Sequence, residues 1–134
     1  MSAIPVETTL RIARPSRDLT AAEEFWVGGV GLQVIERVRA DGDGERNLLM
    51  VGIPDARWHL ELVQDPEALA DHPPSAEDLL VIYLGNDVPH EWLARLEEHG
   101  SRRVRTRNPY WERWGVTVVD PDGYRLVLSS RSWD

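Results

Sequence analysis

Two helix signals recur at the same distance in this chain, and they constrain its fold more than any figure of composition. Asp18 precedes the run LTAAEEFWV and Asp87 precedes PHEWLARLEEHG, 69 positions later. Gly31 follows the first run and Gly100 the second, again 69 positions apart. An aspartate accepts hydrogen bonds from the free N–H groups of a helix start, and a glycine takes the left-handed turn that ends one. Equal offsets at a start and a stop imply a duplicated unit. In the first helix, Leu19, Ala22 and the Phe25–Trp26 pair are spaced for one apolar stripe, and Gly28, Gly29 and Gly31 are expected to stop it.

The flanking segments fill in each unit. Residues 7–14 (ETTLRIAR) alternate, with Leu10 and Ile12 on one face and Thr9, Arg11 and Ala13 on the other, which predicts a strand. LQVIERVRA and ERNLLMVGI flank the turn DGDG as a hairpin, and RWHLELV follows Pro54–Asp55 as a fourth strand. Residues 65–77 have the proline and polar content of a connection. The order then restarts: LLVIYLG, the second helix, RRVRT, RWGVTVVD and DGYRLVL. The expected fold is therefore α+β, with two β-α-β-β-β modules at about 7–64 and 78–131 in one domain spanning residues 1–134.

In HLELV, residues 59–63, side chains two apart point the same way, so His59 and Glu61 share a face and Leu60 and Leu62 take the other. The pair reads as part of a metal site, as an acid/base couple, or as the wet side of a sheet. Absences narrow these choices. With no cysteine, thiolate ligands and thiol nucleophiles are excluded, and since all 15 basic residues are arginine, so is Schiff-base chemistry. A formal charge of −8 opposes attraction to nucleic acid and to anionic membranes, which favours a small-molecule partner. No apolar run reaches membrane-spanning length and MSAIPVETTL lacks the regions of a signal peptide, so a cytoplasmic protein is expected.

A duplicated β-α-β-β-β unit closing on DPDGYRLVL resembles the vicinal oxygen chelate superfamily of glyoxalases, bleomycin-resistance proteins and extradiol dioxygenases. RPSRDLTAAEEFWVGGVGLQVI resembles its opening strand, helix and glycine turn, and NPYWERWGVTVVDPDGYRLVL its closing strands. The resemblance implies a curved, cup-shaped sheet with helices outside, often in a homodimer. Leu10, Ile12, Leu60, Leu62, Leu126 and Leu128 would pack under the helices; Thr9, Arg11, His59, Glu61, Arg125 and Val127 would face the cup.

Metal-dependent relatives draw one ligand from each of four strands. Carried over, these fall at Arg11, Glu61, Asp78 and Val127. An arginine has no lone pair to offer and a valine has no donor, so the resemblance implies no cofactor, with a divalent metal on Glu61, His59 and Asp78 as the alternative. Glu61 with His59 is the candidate catalytic pair, as a general base with Arg11 or His59 steadying charge; equally, Arg11 and Glu61 form an internal ion pair. Arg11, Trp58, Tyr110, Trp111 and Trp114 are the candidate ligand contacts, since flat aromatic walls suit a planar or apolar ligand, although the same rings also fill interfaces. Arg103, Arg105 and Arg107 alternate as an anion clamp or as a charged edge strand. Two functions follow: a metal-independent small-molecule-binding protein, or a glyoxalase-like lyase, isomerase or dioxygenase using Glu61.

Overall fold

The computed structural model describes residues 3–133; Met1, Ser2 and Asp134 lie outside it. Strand β1 (Leu10–Ser16) leads into helix α1 (Leu19–Glu23), which widens into a π-helical turn over Glu24–Gly29. Strands β2 (Gln33–Val38), β3 (Leu48–Gly52) and β4 (Trp58–Gln64) complete the first unit, and α2 (Pro66–Asp71) follows. The second unit holds β5 (Leu79–Tyr83), α3 (His90–Glu98), β6 (Arg102–Val104), α4 (Pro109–Trp114), β7 (Gly115–Val119) and β8 (Arg125–Ser129). Each unit makes a four-stranded sheet of the same order, β1-β4-β3-β2 and β5-β8-β7-β6. The first and last strand of each unit pair parallel; the remaining pairs are antiparallel. The expected α+β architecture of tandem β-α-β-β-β modules is the one observed.

One face of each sheet turns into a common core. Leu49, Val51, Leu60 and Leu62 from the first sheet join Val116, Val118, Leu126 and Leu128 from the second, around Ala22, Phe25, Trp26 and Leu96 of the helices. The π-helical turn allows Phe25 and Trp26, adjacent in sequence, both to be buried, edge to face at 4.8 Å. Gly28 and Gly29 therefore lie inside the helical segment rather than stopping it. They let α3 approach: a Cβ at Gly28 would stand 2.5 Å from His99 Cδ2. The Gly29 carbonyl accepts hydrogen bonds from Trp92 Nε1 at 3.1 Å and Arg95 Nε at 2.9 Å. Gly31 and Gly100, both at positive φ, end the two helical segments as expected.

Three boundaries differ from the pattern-based expectation. Strand β1 begins at Leu10 because its ladder to β4 starts there, and it runs on through Pro15, which an edge strand tolerates. Leu10 is 60% exposed rather than packed under a helix, since it stands at the end of an edge strand. The second helix is capped by Pro89 without a side-chain bond, so Asp87 is not its cap. Residues 65–77, expected as a connection, and 108–115, just before and into the expected strand RWGVTVVD, each hold a short helix. Asp65 and Asn108 cap them through Ala68 N and Tyr110 N, and the prolines that looked like breakers occupy the first helical turn. No helix among the described residues is long and apolar enough to cross a membrane.

The DPDG turn ties the halves together. Asp120 Oδ1 accepts from the N–H groups of Asp122 and Tyr124, both at 2.9 Å, and Gly123 supplies the positive φ. Asp122 Oδ1 accepts from Arg17 N at 2.9 Å, and Arg14 stacks 4.4 Å over the Tyr124 ring. Burial pushes the Asp120 carboxyl up from 3.8 to about 6, with the nearby Asp122 charge adding to the rise. A carboxyl raised on folding favours the protonated native state, so stability is full below about pH 4 and falls as pH rises through 6. The loss amounts to about 3 kcal/mol at most. Asp120→Asn keeps the accepting carbonyl and removes the titration. Urea unfolding at pH 4 and pH 7 is expected to show the variant gaining on the parent by up to that amount at the higher pH; an equal difference at both would show that Asp120 does not titrate in this window.

Candidate functional site

The register of β1 and β4 sets the candidate site. Arg11 lies opposite His59 and Ala13 opposite Glu61, while Met50 and Gly52 of β3 lie opposite Glu61 and His59 on the other side. With Leu60 and Leu62 in the core, pleat parity puts these residues on the outward face of the sheet. Gly52 makes room for the imidazole, because a Cβ there would stand 3.0 Å from His59 Cβ. Met50 is buried beside Glu61, and the small Ala13 lies on its other side.

Arg11 binds both partners. Its Nε donates to His59 Nε2 at 2.9 Å, and its Nη1 stands 3.7 Å from Glu61 Oε1. An Nε2 that accepts carries no proton, so the ring is neutral with its hydrogen on Nδ1. The Glu61 side chain is only 15% exposed, against 50% for Arg11, so the carboxylate forms the floor of the cluster and the guanidinium its rim. The group offers one cation, one imidazole N–H and one carboxylate acceptor within a single patch. It can bind a polar ligand edge, or remove a proton through Glu61.

The other sequence candidates lie elsewhere. Val127 faces the corresponding side of the second sheet, opposite Thr117 and Val81, but it is fully buried and so lines no open hollow. Thr117 Oγ1 is buried there without a hydrogen-bond partner. Tyr110, Trp111 and Trp114 sit on α4, beside this second sheet: Trp111 packs on Tyr83 at 6.5 Å and on Tyr110 at 5.0 Å. Arg131 bonds the Tyr110 hydroxyl at 3.0 Å and lies 5.1 Å over the Trp114 ring. Among the described residues, no ring contact or polar bond joins these aromatics to Arg11, His59 or Glu61. Trp58, expected as a ligand contact, has the parity of Leu60 and packs against the core from the opposite face. Arg125 reaches the Arg105 carbonyl at 2.9 Å, and Arg107 stands 3.7 Å from Glu77, so the three alternating arginines do not form one clamp.

The donor set does not fit a metal of the superfamily type. Asp78 lies 3.4 Å from Arg14, whose side chain is on the face of β1 opposite to Arg11, so it does not join Glu61 and His59. The His59 Nε2 lone pair is committed to Arg11. Among the described residues no three histidine, aspartate or glutamate side chains gather. A first-row cation normally needs at least three such ligands at about 2.0–2.2 Å. Sequence reading missed Arg14, which is buried over Tyr124 with Nη1 unpartnered. The signal was present: Arg14 shares the parity of Ile12, where an apolar residue is expected.

Comparison with known proteins agrees with this frame. The YycE-like N-terminal domain model matches residues 10–63, and the YycE-like C-terminal domain model matches residues 77–130. The chain is 37% identical to the uncharacterised protein YycE of Bacillus subtilis (strain 168) over 122 residues, 89% of this chain and 85% of that one. The crystal structure of a Bacillus subtilis YycE protein of unknown function superposes with a TM-score of 0.77 at 31% identity, covering 96% of this chain and 93% of that chain. Glyoxalase I of Leishmania major shares the fold at 20% identity and a TM-score of 0.69, over 92% of this chain and 86% of its own. An antibiotic-binding protein from Streptomyces sp. CB03234 does so at 22% and 0.64, over 97% and 100%. Matched in both halves and alike over most of its length, the chain belongs to the YycE-like family, and it shares its fold with glyoxalase and antibiotic-binding proteins.

Proposed function

We propose that this protein binds a small molecule on the Arg11–His59–Glu61 face without a metal. The supporting observation is the hydrogen bond from Arg11 to His59, with the ion pair to Glu61: a fixed cation takes the place where metal-dependent relatives put a ligand. A guanidinium there attracts an anionic or carbonyl-bearing ligand edge, and the Nδ1–H of His59 adds a donor. The aromatic group on α4 offers stacking surface on the second sheet, with Tyr110 and Trp114 partly exposed. That an antibiotic-binding protein shares the fold is in keeping with such a role. Exposed Ile4, Val6 and Leu10 leave an apolar strip leading into β1, which suits a homodimer contact.

The enzyme reading rests on one feature, a Glu61 carboxylate that shares its face with His59 and keeps part of its side chain, 15%, exposed. Elemental analysis of protein purified without chelator, together with Glu61→Gln, separates the two. The binder is expected to carry far less than one zinc, nickel, manganese or iron per chain, and Glu61→Gln to shift ligand affinity only by the roughly three- to tenfold worth of one hydrogen bond. A stoichiometric metal, or a turnover that Glu61→Gln abolishes, would establish the enzyme.

Rebuilding the fourth metal ligand is expected to fail. Val127→Glu would bury an unpaired carboxylate and destabilise the fold by more than about 3 kcal/mol in urea unfolding. A near-neutral effect would mean that this face is open after all.

A further inference from the structure

Each sheet leaves a groove between its helix and its outer strands, and the two grooves are filled differently. In the first unit the groove runs between α1 and β2–β3, lined by Leu19, Glu23, Arg37 and Leu49 among others. Arg37 stands on the edge strand opposite buried Leu49 and so faces the helix. Its guanidinium bonds Glu23 twice, at 2.5 and 2.7 Å, bridging the groove. Those hydrogen bonds hold the Glu23 carboxyl below its ordinary value and raise Arg37 above its own.

In the second unit the groove between α3 and β6–β7 has a volume of about 250 Å³. Leu93, Ala94, Val116 and Val118 wall it, and His90, Glu97 and Arg103 stand at its rim. Arg103 has the place that Arg37 has in the first sheet: on the edge strand, opposite a buried aliphatic residue (Val118), facing the helix. Yet among the described residues its guanidinium has no hydrogen bond or ion pair, although Glu97 lines the same groove. Arg103, His90, Leu93 and Val116 also line an adjoining hollow that reaches Arg113 and Trp114, so the groove continues past the start of α3.

We infer that this groove is a second ligand site, on the helix side of the second sheet, for a small organic monocarboxylate with an apolar body. The guanidinium fork of Arg103 matches a carboxylate, and the body lies on Leu93, Val116 and Val118. The volume equals that of roughly eight waters at about 30 Å³ each, the bulk of a benzoate-sized molecule. Glu97 at the rim, with Asp87 and Glu112 in the adjoining hollow, opposes any negative charge beyond the one that Arg103 neutralises, which disfavours phosphate or a dicarboxylate.

The test is titration of the intact protein with 4-fluorobenzoate, read by fluorine NMR. Saturable binding with Kd on the order of 1 mM is expected for so small a ligand. Arg103→Gln should weaken it about tenfold or more, the worth of a charge-assisted hydrogen bond. Arg102→Gln, on the opposite face of β6, should not, and Ala94→Phe should block the groove without changing charge. Arg37→Gln, at the matching place in the first sheet, should leave the titration unchanged. Absence of saturation by about 20 mM, well above the affinity expected of such a fragment, would overturn the inference; so would equal weakening by Arg102→Gln and Arg103→Gln.

Discussion

The period-two pleat of β1, β3 and β4, locked by what must be buried, is the constraint on which the candidate site depends. Ile12, Leu60, Leu62, Leu49 and Val51 share one parity, and all but Ile12 are buried outright in the common core. Each such side chain contributes about 2 kcal/mol by leaving water. A slip of one residue would expose that set and bury Arg11, His59 and Glu61, so the register is held by a wide margin. The charged cluster is thus positioned by residues that never touch it.

Duplication gives two sheets of the same order, and the two halves then use their faces in opposite ways. The first sheet keeps polar groups on its outward face and closes its helix-side groove with the Arg37–Glu23 pair. The second fills its outward face, burying Val127 and Thr117 beneath a region that α4 borders, and leaves its helix-side groove unbridged. The halves meet at the Gly28–Gly29 contact with α3, and at the junction where Arg14 and Arg17 meet Tyr124 and Asp122. Neither junction depends on the polar cluster, so substitution of Glu61 leaves the architecture intact.

Much of this was legible in the residues themselves. The 69-residue offset between Gly31 and Gly100, which both end helical segments, marked the repeat even though Asp87 caps no helix, and the alternation in HLELV placed His59 and Glu61 on one face. What escaped depends on facts that a linear pattern does not carry. Asp-Pro and Asn-Pro read equally as turns or as helix starts, and only the hydrogen bonds that Asp65 and Asn108 accept from the following N–H groups decide the matter. Burial of Val127 follows from residues far away in sequence. Trp58 shares the parity of Leu60, which sets it against the core, a placement that its aromatic character alone does not carry.

The role of Arg11 as the group that holds His59 and Glu61 is the central claim, and the imidazole nitrogens of His59 report on it most directly. Long-range proton–nitrogen NMR on the uniformly labelled protein at neutral pH is expected to show His59 as a neutral ring, with hydrogen on Nδ1 and a bare, hydrogen-bonded Nε2. Loss of that Nε2 signature in Arg11→Gln would confirm the donor. A proton on Nε2, or a spectrum that moves on addition of stoichiometric zinc in the way of a coordinated nitrogen, would contradict it.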